Sequence, residues 1–80
     1  MYNIKLGDTV WISNYPYMPF KFYKCKVLRE IETSDPIFGN NYELLLEDGM
    51  KLLRAARNIY HSREEAQRCL ARKLNKLQPT

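Results

Sequence analysis

The stretch Ile59-Tyr60-His61-Ser62-Arg63-Glu64-Glu65-Ala66 decides the fold. Ser62 stands three residues before Glu65, the spacing of a capping box. In that motif the Ser62 hydroxyl accepts from the Glu65 N–H while the Glu65 carboxylate reaches back to the Ser62 N–H. A helix therefore begins at Arg63. Downstream, Ala66, Leu70, Leu74 and Leu77 recur at helical spacing as one apolar stripe, with Cys69 at its edge. Arg68, Arg72 and Lys76 stand at successive turns of the opposite face, and Pro79 cannot continue a helix. The pattern predicts a helix over 63–77 that must bury its stripe on whatever precedes it.

What precedes it reads as strands. Gly7-Asp8 makes a turn, and Thr9-Val10-Trp11-Ile12-Ser13 is β-branched and aromatic, with Val10 and Ile12 on one face and Trp11 on the other. Pro16 and Pro19 make 14–19 a loop. A second strand runs from about Phe20 to Glu32, too long to stay straight, so a bulge is expected near Lys26–Arg29. Its alternation puts Tyr23, Cys25, Val27 and Ile31 on one face and Lys24, Lys26, Leu28 and Glu30 on the other. After a loop framed by Thr33-Ser34-Asp35-Pro36 and Gly39-Asn40-Asn41, a third strand covers Tyr42–Leu46. Glu47-Asp48-Gly49 then makes a tight hairpin turn. Met50–Arg54 returns as a fourth strand, although Leu52, Leu53, Ala56 and Tyr60 also suit one face of a helix. Ala55–Asn58 makes a short helical turn, and Ile59–Tyr60 a brief fifth strand.

Length and composition bound the rest. The 80 residues make a single domain, 1–80, with room for one small core and none for a deep enclosed active site. The balance of 45% hydrophobic and 28% charged residues belongs to a globular chain, and the net charge of +4 tilts only mildly towards acidic partners. The N-terminus lacks the apolar run of a signal peptide and no stretch is long enough to span a membrane, so a soluble cytoplasmic protein is expected. Cys25 and Cys69 fall in different elements and read as small buried hydrophobes rather than a disulfide. One histidine and no Cys-x-x-Cys leave no metal site, and no cofactor is expected.

The order of strand, long loop, long bent strand, hairpin, short helical turn and short strand resembles an SH3-like barrel. Gly7-Asp8-Thr9-Val10 resembles the opening of many such barrels, the KOW domains of ribosomal and transcription proteins among them. A KOW motif continues through a glycine that Lys24-Cys25-Lys26-Val27 does not supply. The ending from Ile59 to Ala66 resembles small uncharacterised bacterial and phage proteins, whose short barrel also ends in an aromatic residue, a Ser or Thr cap and a Glu-Glu-Ala helix start. The resemblance implies a mainly β fold (β+α): a five-stranded small barrel over about 6–60 with the C-terminal helix packed on it. It implies a binding role, and a phage or mobile-element setting would fit contact with a host protein.

Two groups of residues are candidates for function. The first is the aromatic loop, Tyr15, Tyr17, Met18 and Phe20, together with Trp11. Rigid aromatic area suits recognition of another protein, and in SH3-like barrels the corresponding loop often walls a groove for Pro-rich peptides. The alternative is that Tyr15 and Phe20 fold back to close the barrel. Trp11 either lies beneath the helix stripe or faces a groove beside Tyr17, where Trp11, Tyr15 and Tyr17 would make a weak case for a methylammonium cage. The second group is basic: Lys21, Lys24, Lys26, Arg54, Arg57, Arg68 and Arg72, which with Tyr17 or Phe22 would bind single-stranded nucleic acid by phosphate neutralisation and stacking. Six glutamates dilute that field, and the late-helix cations also complement the helix dipole and pair with Glu64 and Glu65. No phosphate loop, base-paired nucleophile or acid–base pair points to catalysis. The leading expectation is a non-enzymatic protein-binding module, adaptor or inhibitor, monomeric or weakly dimeric, with nucleic-acid binding as the alternative.

Overall fold

The computed structural model describes residues 3–15, 17, 19–34, 36–37 and 39–77, the side chains of 76 and 77 excepted. It is mainly β with one C-terminal helix. Strands β1 (Thr9–Ser13), β2 (Phe22–Ile31), β3 (Asn41–Leu46) and β4 (Lys51–Ala55) form one antiparallel sheet in the order β1-β2-β3-β4. A 3₁₀ turn, Ala56–Asn58, follows, and α1 spans Arg63–Leu77. The ambiguous Met50–Arg54 segment is strand because the Asp48-Gly49 turn folds it back on β3. Gly49 takes φ 90°, its N–H donates to the Leu46 carbonyl at 3.0 Å, and the Leu46 N–H donates to the Met50 carbonyl at 2.8 Å.

The sheet does not close. Instead of a fifth strand, Ile59–Tyr60 contributes one antiparallel bridge. The Trp11 N–H donates to the Tyr60 carbonyl at 2.7 Å and the Tyr60 N–H donates to the Trp11 carbonyl at 2.9 Å, along the edge of β1 that β2 leaves free. Only three residues, Ile59, Tyr60 and His61, lie between the 3₁₀ turn and Ser62, too few for a longer ladder.

Val10, Ile12, Cys25, Val27, Tyr42, Leu44, Ala56 and Ile59 form the core, with Tyr23, Leu46 and Leu52 packed against it. Alternation along β1 and β2 produces this face directly. The expected bulge sits at Leu28: Val27 pairs with Leu44, whereas Arg29 already pairs with Glu43. The extra residue reverses the facing of the rest of β2, which corrects the sequence reading. Glu30, not Ile31, stands opposite buried Tyr42 and accepts from its hydroxyl at 3.2 Å and from Asn40 Nδ2 at 2.5 Å. Arg29 and Glu43 pair on the outer face at 3.2 Å.

The helix packs on β1. Ala66 and Leu70 are buried and Leu74 is half-buried, as the stripe requires. Its cap is half of the expected box. The Glu65 N–H donates to Ser62 Oγ at 3.1 Å, but the Glu65 side chain does not return to the Ser62 N–H. It turns instead towards a depression that it lines with Asn3, Arg57 and His61. Among the described residues no helix is long and apolar enough to cross a membrane.

Candidate functional site

The loop of residues 14–21 is organised by Asn14. Its backbone N–H donates to the Lys21 carbonyl at 3.1 Å, its Oδ1 accepts from the Lys21 N–H at 2.6 Å, and its Nδ2 donates to the Pro19 carbonyl at 3.0 Å. The Asn14 carbonyl also accepts from the Tyr17 N–H at 2.9 Å. One side chain thus replaces the ladder that two nearby prolines deny to this segment. Tyr15 and Phe20 stack across the base of the loop, centroids 6.2 Å apart and planes 16° apart, and both are half-buried. They brace the loop, and Tyr17 is left 71% exposed at its tip. Met18 lies outside the described residues.

The helix secures the same region through two contacts with no local signal in the sequence. The Arg63 guanidinium lies 5.9 Å from the Phe22 ring centre, and Lys73 Nζ lies 5.5 Å from that of Tyr15. Lys73 also donates to the Tyr60 hydroxyl at 3.4 Å. Residues 63 and 73 stand nearly three helical turns apart, so α1 clasps the start of β2 with one end and the loop with the other.

Trp11 is half-buried and lines a shallow groove of about 280 Å³ with Phe22, Lys24, Leu46 and Asp48. Tyr15 lines a different depression, under Lys73. Among the described depressions, Trp11 and Tyr15 thus line different ones.

The basic residues also divide. Lys24 and Lys26 are exposed on the outer face of β2, opposite Trp11 and Thr9, and border a groove of about 450 Å³ with Leu45 and Glu47. Lys21 is exposed at the end of the loop, and Arg68 and Arg72 are exposed on the helix. Among the described residues Arg68 makes no ion pair with Glu64 or Glu65, contrary to the expected pairing. Arg57 is exposed beside Tyr60 and His61. Arg54 stands apart from all of these. It pairs with Tyr42 across β3–β4, so it belongs to the inner face, and it is half-buried.

Burial sets the state of the titratable core groups. It pushes the Cys25 thiol up to about 11, outweighing the opposite pull of Arg54. Burial also raises Tyr42, helped by its bond to Glu30, and raises Tyr60. All three are protonated near neutrality, and Cys25 is a packing group rather than a thiolate. Cys69 is free and half-buried, and among the described residues no His, Cys, Asp or Glu cluster has the geometry to hold a metal ion. No protein-family model, curated protein or solved structure matches this chain.

Proposed function

We propose that the chain is a non-enzymatic protein-binding module of SH3-like barrel type, docking another protein through the loop of residues 14–21. The observation that carries this reading is Tyr17, 71% exposed at the tip of a loop held by four hydrogen bonds through Asn14. A braced aromatic residue loses little further entropy on binding, which is the property of an interface anchor. In this reading Tyr15 and Phe20 support the anchor and Trp11 offers a neighbouring groove. The meander, the 3₁₀ turn after β4 and the return of Tyr60 to β1 support the SH3-like type.

The test is selection of peptides on the immobilised chain, followed by NMR mapping of the winners. The expected result is perturbation centred on residues 14–21 and loss of binding in Tyr17→Ala. Peptides that bind Tyr17→Ala as tightly as the parent would refute the reading.

The second reading, nucleic-acid binding, is favoured by Lys24 and Lys26 alternating on an exposed face next to Trp11. It predicts a salt-steep rise in anisotropy of labelled single-stranded DNA or RNA that disappears when both lysines become Glu. No rise at low salt removes it.

A further inference from the structure

Twelve of the chain's lysines and arginines have described side chains, and ten of them are exposed; only Arg54 and Lys73 are half-buried. They come from distant parts of the sequence, β4 and α1, yet line the same cavity of about 300 Å³, whose other walls are Ser13, Tyr15, Asn58 and Tyr60. No carboxylate lines it. The two side chains share these walls, and no acidic side chain among them offsets either charge.

Both cations are held in place with donors to spare. Lys73 Nζ is fixed between the Tyr60 oxygen at 3.4 Å and the Tyr15 ring at 5.5 Å, which spends one of its three N–H groups in a hydrogen bond. Arg54 spends one N–H on the Leu53 carbonyl at 3.0 Å and retains the rest of its fork. The Ser13 hydroxyl and the Asn58 amide add neutral donors to the walls. This is a donor-lined depression that carries two positive charges and no lining carboxylate.

We infer that this cavity binds the phosphate monoester of a small molecule. A monoester carries about −1.5 to −2 near pH 7, which matches two cations, whereas a carboxylate or phosphodiester would leave one unbalanced. The planar guanidinium and the ammonium suit adjacent oxygens of a tetrahedral anion. The volume lies at the low end of the roughly 300–1,000 Å³ typical of small-molecule sites, so the phosphate enters with a modest substituent. The inference is independent of the docking role of Tyr17, since it rests on Arg54 and Lys73.

The experiment is titration of the full chain with phenyl phosphate, followed by amide NMR, with benzenesulfonate as a tetrahedral monoanion of similar shape. Saturable shifts at Tyr15, Asn58, Tyr60 and Lys73, with a Kd on the order of 1 mM or tighter, are expected for a ligand of this size. Lys73→Met and Arg54→Gln should each weaken binding about tenfold or more, whereas Lys51→Gln, a charge change on the outer face, should not. The wild-type shift map stands even if one variant fails to fold. The inference is overturned by shifts centred on the Lys24–Lys26 face, by benzenesulfonate binding as tightly as phenyl phosphate, or by the absence of saturation. A 5′-phosphorylated oligonucleotide binding more than tenfold tighter than phenyl phosphate would also overturn the small-molecule assignment.

Discussion

Replacing Ser62 by alanine isolates the hydrogen bond that starts the helix. In the parent, Ser62 Oγ accepts from the Glu65 N–H at 3.1 Å, and Ser62 is only half-buried. Removing the oxygen leaves that N–H at a boundary water can reach, so the cost is the lost cap and not a fully desolvated donor. A loss of about 1 kcal/mol follows, the centre of the range for N-cap replacements. Against about 4–12 kcal/mol expected for 80 residues this is a substantial fraction, and at this size it lowers Tm by roughly 4–8 °C. Glycine in the same place should cost only a few tenths of a kcal/mol, since it lets water reach the N–H and accepts the non-helical backbone. Glu65→Gln should cost about 0.3–1 kcal/mol, its share of the dipole interaction, because the Glu65 carboxylate makes no return bond to Ser62. Thermal melts by circular dichroism, paired with urea titrations of unchanged slope, measure all three. If Glu65→Gln proved the most damaging of the set, or Ser62→Ala matched the parent, the capping argument would be wrong.

Three further outcomes are expected. Leu44→Ala empties a fully buried position at the centre of the sheet and should cost about 2–5 kcal/mol in urea titrations. Tyr17→Ala should stay within about 0.5 kcal/mol of the parent in the same assay, because its ring is mostly in solvent, while reducing capture of loop-binding peptides. Cys25 has its folded pKa raised from 9.0 to about 11, so its contribution to stability is complete below pH 9 and is lost as pH climbs through 11. That alkaline loss should shrink in Cys25→Ala, and iodoacetamide at pH 8 should label the half-buried Cys69 well before Cys25 in the folded chain.

The parts of the fold that local chemistry controls were legible in the sequence. Ser62 and the Ala66, Leu70 and Leu74 spacing specify the helix, Asp48-Gly49 specifies the hairpin, and Val10, Ile12, Cys25 and Val27 mark one face by alternation. The bulge was foreseeable from the length of β2, and its place to within a few residues, but its effect on facing was not: a shift of one residue decides whether Glu30 or Ile31 faces Tyr42. The candidate site was less legible because it depends on long-range placement. Tyr17 could be singled out as an aromatic loop residue, yet the bracing role of Asn14 appears only when residues 14 and 19–21 are brought together. In the sequence Arg54 and Lys73 are only two of several cations suited to a nucleic-acid surface. Nothing near either residue in the chain signals the other, and only the docking of α1 across β1 makes them neighbours.

The bridge between Trp11 and Tyr60 has a consequence for the order in which the molecule assembles. Each pairing of the meander joins strands adjacent in sequence, so its loop-closure cost is small. The two bonds between residues 11 and 60 close a far longer loop, and the helix cannot rest on β1 until Tyr60 has brought the chain back there. Tyr60, α1 and the free edge of β1 are thus expected to behave as a cooperative unit that arrives last and departs first. In native-state hydrogen exchange the Trp11 and Tyr60 amides should open together with the helix, at a lower free energy than the β2–β3 centre around Val27 and Leu44. Detachment of this segment while the sheet persists would give the chain a partly open state within thermal reach.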